Sequence, residues 1–202
     1  MIFHDGIKPR LRKNKGPVQE IEWYGMCSVF GLSDLIFLSD IDQGKDGAGN
    51  PLPARNSNFK SRDVLQMLRM LLPQVMAQNR AEARKRGLAP EDVIYRIVCD
   101  NAKWHDKKKM AKIAKEFGVE MEFKYPTYSS DLNVVEGVWN SIKSKVRGRI
   151  LYNLKEAKVA VQEAYKEVLE QERTEHTYAN ACERYVERLQ ACAKRVGGKT
   201  RY

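Results

Sequence analysis

The fold of this chain is decided by two stretches, VIYRIVCDNAKWH at residues 93–105 and YPTYSSDLNVVEGVWNSIKSK at residues 125–145. The first begins with an apolar run from Val93 to Cys99, which is typical of a short buried strand. Asp100 follows that run directly, so its carboxylate is predicted to lie at the carboxyl end of the strand. Open α/β sheets place their binding and catalytic groups at this edge. The first stretch therefore predicts an acidic site at the edge of a sheet.

A second acid follows in the other stretch, with 35 residues between Asp100 and Glu136. Glu136 begins a helical pattern whose apolar positions are Val138, Trp139, Ile142 and Val146. Two carboxylates held on neighbouring elements can share a divalent cation, and Mg²⁺ prefers such oxygen ligands while it keeps bound water. Asp100 and Glu136 are therefore the candidate catalytic residues and the candidate metal ligands.

These motifs resemble the signature of mariner-superfamily transposases. That family carries an aspartate followed by Asn-Ala and a histidine, and later Tyr-Ser-Pro-Asp-Leu-Asn-Pro followed by Glu, Trp and Lys. The matching residues here are Asp100, Asn101, Ala102, His105, Tyr128, Ser129, Asp131, Leu132, Asn133, Glu136, Trp139 and Lys143. Ser130 and Val134 stand where the family usually has proline. The resemblance extends from about Ile21 to about Val168.

The resemblance implies a ribonuclease-H-like α/β fold, which is a mixed sheet with flanking helices, followed here by a C-terminal helical extension. We predict a transposase-type domain over residues 1–150 and the extension, with a basic tail, over residues 151–202. The implied activity is metal-dependent cleavage and transfer of DNA strands with Mg²⁺ or Mn²⁺, in a nuclear protein that works as paired subunits or within a larger complex. The family normally has a helix-turn-helix domain and the first catalytic strand farther upstream, and we expect both to be missing from this chain.

The resemblance also implies a third acid, on the first strand. Asp5, in IFHD at residues 2–5, is the nearest candidate. The alternative is an ordinary aspartate in a solvated turn, and this interpretation is favoured because the family's first aspartate lies farther upstream of the next strand. Three converging acids would indicate an enzyme, whereas two would indicate a binding module.

Basic residues outnumber acidic ones and give a formal net charge of +10 at pH 7, which favours a polyanionic partner. Two basic clusters flank the two acids and supply the candidate nucleic-acid-binding residues Lys103, Lys107, Lys108, Lys109, Lys143, Lys145 and Arg147. Such side chains contact phosphates without reading sequence, so DNA is the partner that the resemblance implies and RNA stays open. A solvated helix surface is the alternative for these clusters. His105 is either a site residue or an ordinary hydrogen-bonded histidine.

Cysteine usage and hydropathy indicate an intracellular protein. The four cysteines, at positions 27, 99, 182 and 192, show no CxxC spacing, which predicts reduced thiols and neither a zinc site nor a disulfide framework. No apolar run approaches membrane-spanning length, and Met1 is not followed by a secretory signal pattern.

Between the N-terminus and the first stretch, the sequence predicts a hairpin, a loop and a helix. Apolar runs at residues 21–32 and 34–38 predict an antiparallel hairpin, and residues 40–57 are punctuated by glycine and proline as loops are. The helix is expected to begin at Ser61, which would cap it, and to end or kink at Pro73.

Beyond the second stretch, the sequence predicts two helices. The first follows Asn153, which has the spacing of a cap with an acid three residues on, and the second carries apolar residues across 178–192. Such stripes are typical of helix packing.

Two alternatives to an active transposase stay open. The first is a domesticated, non-catalytic remnant that serves as a nucleic-acid-binding or structural subunit of a larger assembly. The second is a ribonuclease or resolvase of the same fold, which the Ser-Asp-Leu-Asn motif at residues 130–133 disfavours.

Overall fold

The computed structural model describes residues 20–122, 125 and 132–194, and the backbone of residues 2–7. Strands and helices follow one another as β1 (Ile2–Ile7), β2 (Ile21–Ser28), β3 (Gly31–Leu32), β4 (Ile36–Phe37), α1 (Ser61–Lys85), β5 (Arg96–Val98), α2 (Lys107–Glu116), β6 (Glu120–Glu122), α3 (Val134–Val146), α4 (Leu154–Glu175), α5 (Thr177–Glu183) and α6 (Tyr185–Lys194). The predicted basic tail at residues 195–202 lies outside the described residues.

Strand β2 is the centre of the main sheet. It pairs antiparallel with β1, β3 and β4, so that Trp23 stands opposite Asp5 on one side and Phe37 on the other. Residues 21–27 are all buried, as expected of a strand that is covered on both faces. The predicted hairpin is confirmed, and Gly31, the first residue after its turn, has a φ of +117°, a conformation that residues with side chains rarely adopt.

Alternate residues of β2 face two separate hydrophobic cores. Tyr24 and Met26 belong to the first core, which β2 forms with α1, β5 and α2. Trp23 and Cys27 belong to the second core, which β2 forms with α3 and α4. In the second core the rings of Trp23 and Trp139 meet edge to face, with centroids 6.2 Å apart. The position of α3 is therefore set by its packing on β2.

Strand β5 is shorter than the sequence suggests. It pairs parallel to β6, and α2 makes the connection between the two. Tyr95, Ile97 and Cys99 are buried, but Ile94 is 71% exposed, so the prediction of a buried run from Val93 is wrong at its start. Successive residues of an extended chain point to opposite faces, and only one of these faces meets the first core. Asp100 still follows the strand at its carboxyl end, as predicted.

Helix α1 begins at Ser61 as predicted, but its capping residue and its end differ from the prediction. Lys60, and not Ser61, is the N-cap residue, and its N–H donates to a carboxylate oxygen of Asp63 at 2.7 Å. The helix also continues through Pro73 to Lys85. Proline costs a helical hydrogen bond, but the residues beside it pack into the first core and offset that cost. These residues are Leu71, Leu72, Val75 and Met76.

The C-terminal helices α4 and α5 pack against strands β2 and β3 of the main sheet. The Asn153 side chain accepts a hydrogen bond from the Glu156 N–H at 2.9 Å, which confirms the predicted cap of α4. The buried residues of α4 share the second core with β2 and α3. The prediction of a single helix over residues 178–192 is wrong, because α5 ends at Glu183 and α6 begins at Tyr185. No helix in the described ranges is long and apolar enough to cross a bilayer.

Candidate active site

Asp100 lies where β5 ends, with 37% of its side chain exposed. Its Oδ1 accepts a hydrogen bond from the Ala102 N–H at 2.9 Å and lies 2.8 Å from Nδ1 of His105. Burial is the largest single influence on this carboxyl and opposes its ionisation. The hydrogen bonds from His105 and Ala102, together with the electrostatic influence of His105 and Lys107, outweigh burial, so the pKa of Asp100 is lowered. Asp100 is therefore an oriented anion.

A tight turn brings His105 back to Asp100. The His105 N–H donates to the Ala102 carbonyl at 2.8 Å, and Asp106 then caps α2 by accepting from the Lys109 N–H at 3.1 Å. The His105 side chain is fully buried, so its place is fixed by this turn. Of the two interpretations of His105 that the sequence left open, the structure favours the one that puts it beside the candidate acid.

Glu136 lies in the first turn of α3 and is half-buried. Burial raises the pKa of its carboxyl, and the negative charge of Asp100 raises it further. Because such an effect falls off with distance, Glu136 lies near enough to Asp100 for this charge to act on it, although 35 residues separate the two in the sequence.

Asn101 ties together the two segments that leave β5 and β6. Its Nδ2 donates to the Tyr125 carbonyl at 2.9 Å, and its Oδ1 accepts from Nζ of Lys107 at 2.7 Å. The strands are parallel, so both segments leave at the same edge of the sheet. The sequence pointed to Asn101 only as part of a motif, because its partner at Tyr125 is distant along the chain. The motif residues Tyr128, Ser129, Ser130 and Asp131 lie outside the described residues.

The first predicted basic cluster surrounds the start of α2. Lys107 bonds to Asn101 and lies close enough to Asp100 to influence its pKa. Lys109 forms an ion pair with Asp106 at 3.0 Å. The members that are exposed to solvent are Lys103, Lys108 and Lys109.

The second predicted basic cluster divides between two faces of α3. Lys143 follows Glu136 by seven residues and shares its helix face. Burial lowers the pKa of the Lys143 ammonium group. Lys145 lies on the opposite face and pairs with Glu167 of α4 at 2.9 Å, so the structure does not bring it to the acids. Arg147 follows the helix end and is exposed.

Asp5 lies in strand β1, so the favoured interpretation of a turn aspartate is wrong. Its backbone stands opposite Trp23 of β2, and the Cα atoms of β1 and α3 approach within 8 Å. The side chains of β1 are not among those that the structure describes. Within the described side chains, no three His, Cys, Asp or Glu residues form a group that could hold a metal ion.

Residues 66–158, which include Asp100 and Glu136, match the family profile of the DDE superfamily endonucleases. Over these residues, a little under half of its length, the chain is similar to that family. Together with the fold, this match supports the sequence-based recognition of a mariner-type DDE transposase catalytic domain. No curated protein matches the chain in sequence.

Solved structures of the Mos1 mariner transposase share this fold. The Mos1 catalytic domain superposes with a TM-score of 0.62 at 16% identity, covering 98% of this chain and 82% of that one. The Mos1 paired-end complex with Mn superposes with a TM-score of 0.60 at 16% identity, covering 98% of this chain and 55% of that one. The Mos1 catalytic domain with Raltegravir and Mg superposes with a TM-score of 0.59 at 15% identity, covering 98% of this chain and 84% of that one. The predicted ribonuclease-H-like α/β fold is confirmed, and the chain spans about half the length of the transposase in the paired-end complex.

Proposed function

We propose that this chain is the catalytic part of a transposase-like enzyme that cleaves and transfers DNA strands by metal-dependent phosphoryl transfer. The observation that carries the proposal is the pair of Asp100 and Glu136, in which the charge of one acid raises the pKa of the other. Both acids lie within the DDE endonuclease match, and Asp100 lies at the carboxyl end of β5 in a chain with the Mos1 fold. The Mos1 structures with Mg, with Mn and as a paired-end complex support the choice of metal and of DNA.

The residues present fit a divalent cation. Both donors are carboxylates, which are the ligands that Mg²⁺ and Mn²⁺ prefer. The charge of Asp100 makes ionisation of Glu136 less favourable, and a bound cation would reverse that effect. Held by Asp100 and Glu136, the ion would supply activation of a water or 3′-hydroxyl and stabilisation of the leaving oxygen.

The chain's own part in the reaction is positioning. His105 orients the Asp100 carboxylate, and the first turn of α3 carries Glu136. Lys107 lies beside Asp100, and Lys143 lies on the helix face of Glu136. Their positive charges would hold the phosphate backbone next to the acids, which is the main requirement in phosphoryl transfer.

We assign the third acid of the site to Asp5. Two backbone observations support this assignment: β1 pairs with the central strand β2, and β1 also approaches α3, the helix of Glu136. Asp5 is therefore on an element that neighbours the candidate site. The assignment predicts that Asp5→Asn and Glu136→Gln weaken metal binding alike.

Metal binding tests the proposal without DNA. We expect Mn²⁺ to raise the melting temperature of the wild-type chain, because a ligand that binds only the folded state stabilises it. Asp100→Asn, Glu136→Gln and Asp5→Asn should each remove most of that rise. Glu91→Gln, which changes an exposed carboxylate outside the site, should leave it unchanged. The absence of a Mn²⁺-dependent shift in the wild type would contradict the proposal.

DNA binding and strand cleavage should separate in the double variant Asp100→Asn with Glu136→Gln. We expect its DNA affinity at fixed salt to match the wild type, because phosphate contacts come from lysine and arginine, while its Mn²⁺-dependent cleavage is lost. Cleavage at the wild-type rate would overturn the roles of the two acids. A wild-type chain that binds DNA and never cleaves it would instead favour the non-catalytic alternative.

A further inference from the structure

We propose that Tyr178 of α5 is a positioning residue for Glu136, because it supports the helical turn that carries this acid. Its consequence for metal binding rests on the function proposed above. The contact joins the C-terminal helices to the candidate site, and nothing in the motifs around Asp100 and Glu136 predicts it. Three observations support the proposal: the Tyr178 ring contacts Gly137, the Tyr178 hydroxyl lies within hydrogen-bond distance of the Ser141 hydroxyl, and the Glu172 carboxylate holds the start of α5.

The ring of Tyr178 packs directly on Gly137, the residue after Glu136. A Cβ built on Gly137 would lie 3.2 Å from Cε1 of Tyr178, which is tighter than an ordinary van der Waals contact. Glycine is a poor helix former, so its place inside α3 needs a reason. The reason here is the close approach of the tyrosine ring.

The Tyr178 hydroxyl also binds the backbone of the same turn. It donates to the Gly137 carbonyl at 3.3 Å and lies 2.7 Å from the Ser141 hydroxyl. A single arrangement satisfies both contacts: Ser141 donates to Tyr178, and Tyr178 donates to Gly137. The first turn of α3 is thereby held from outside the helix.

Glu172 of α4 holds the start of α5, and thereby Tyr178, in this position through hydrogen bonds. His176 adopts a left-handed conformation with a φ of 52°, which reverses the chain between α4 and α5. The buried Glu172 carboxylate then accepts from the N–H groups of Tyr178 at 2.9 Å and Ala179 at 2.7 Å. These hydrogen bonds fix the start of α5 relative to α4, whose buried face is anchored in the second core.

External support matters at this turn because a helix start has few bonds of its own. The first N–H groups of a helix lack intrahelical partners, and within the described residues the Asn133 side chain makes no capping hydrogen bond to α3. Glu136 must also keep its carboxylate beside that of Asp100, which repels it. A turn that frays would let Glu136 move away from the site, and Tyr178 opposes this movement.

A double-mutant cycle tests the contact itself. Gly137→Ala should lower the melting temperature in the wild-type background, because the new methyl group meets the Tyr178 ring. In a Tyr178→Ala background the same change should raise it, because alanine is the better helix former and the ring is gone. The same sign in both backgrounds would overturn the proposed contact.

Two further measurements test the consequence for Glu136. Tyr178→Ala should speed amide hydrogen exchange in residues 134–138 and weaken Mn²⁺ binding roughly tenfold, as losses of supporting contacts at metal sites do. Tyr178→Phe, which keeps the ring, should show a smaller change in both. The control is Met76→Ala, a truncation in the first core that should lower the melting temperature without either effect.

The outcomes separate the two proposals. If the wild type binds Mn²⁺ and Tyr178→Ala behaves as Met76→Ala does, the role of Tyr178 is merely structural and this inference is overturned while the proposed function stands. If the wild type binds no Mn²⁺, the proposed function fails and the positioning role fails with it. Faster exchange at residues 134–138 together with weaker Mn²⁺ binding in Tyr178→Ala supports the inference.

Discussion

Nδ1 of His105 lies 2.8 Å from Oδ1 of Asp100, and the histidine side chain is completely buried. A carboxylate accepts hydrogen bonds, so a neutral ring carries its proton on Nδ1 and donates it to Asp100. On the other side of the ring, Nε2 has no hydrogen-bond partner in the part of the chain that the structure describes. The His105 side chain therefore has Asp100 as its hydrogen-bond partner among the described residues, and it orients the Asp100 carboxylate.

Replacing His105 by alanine should weaken metal binding. The variant loses the hydrogen bond that orients Asp100, and contacts of this kind are worth about 10- to 100-fold in metal affinity. Titration with Mn²⁺, followed by calorimetry, measures the change. His176→Asn, at an exposed histidine whose left-handed backbone asparagine tolerates, is the control and should bind as the wild type does. Equal affinities for His105→Ala and wild type would show that His105 has no part in the site.

The metal-free protein should become more stable at neutral pH when Glu136 is replaced by glutamine. The pKa of folded Glu136 is raised above its ordinary value of 4.5, by burial first and by the charge of Asp100 second. The protonated form is thus favoured in the folded state, and this stabilisation is present below pH 4.5 and lost as the pH rises through the folded pKa. Glutamine carries no charge and avoids the loss.

Melting temperatures in a chelator at pH 7 and pH 4 measure this effect. Glu136→Gln should exceed the wild type at pH 7, and the difference should shrink at pH 4. Glu91→Gln should show no such pH dependence. A variant that is less stable than the wild type at pH 7 would contradict the environment described for Glu136.

The two basic clusters should differ in their effect on DNA binding. Lys103 and Lys108 are exposed around the start of α2, whereas Lys145 pairs with Glu167 on the far face of α3. The double change of Lys103 and Lys108 to alanine should weaken binding and lower the salt slope of log K by about 2, one for each lost phosphate contact. Lys145→Ala is the matched control and should keep the wild-type slope. An equal loss for Lys145→Ala would place DNA on the other face of α3.

Cys27 and Cys182 should form a disulfide when oxidised glutathione is added. Their sulfur atoms lie 3.3 Å apart although the residue numbers differ by 155. The hydrogen bond from Cys27 is the largest influence on the Cys182 thiol and lowers its pKa, which favours the attacking thiolate. The two thiols lose their hydrogens to one glutathione disulfide, which leaves as two reduced glutathiones.

Mass spectrometry and unfolding measure the cross-link. The product should have lost two hydrogen atoms, and its free energy of unfolding should rise by about 2–4 kcal/mol because the link closes a long loop. Cys182→Ser should give no intramolecular product. A chain that retains glutathione on one cysteine would show that the two thiols do not meet.

Much of the fold follows from local pattern. The hairpin that begins with β2, the cap at Asn153 and the apolar stripe of α3 each lie within a few residues, and each is confirmed. The two acids also follow from the sequence, because a strand that ends at Asp100 and a helix that begins near Glu136 are both readable from hydrophobic periodicity.

Local pattern fails where packing overrides it. Pro73 should end α1 by its own chemistry, but its neighbours pack into the first core and the helix continues. The apolar spacing across residues 178–192 is helical, yet it divides into α5, which meets the rest of the molecule, and α6, which has no buried residue. Sequence periodicity indicates a helical face and does not say whether anything covers it.

The sequence by itself determined the resemblance to a family, the pair of acids and most of the elements that carry them, because these depend on residue type and short-range spacing. Only the tertiary structure decided which residues that are distant in the sequence contact one another. Tyr178 rests on Gly137, Cys182 meets Cys27, and Lys145 turns to α4 and away from the acids. These relations join residues far apart in the chain, and they exist because the helices dock on β2 in one arrangement.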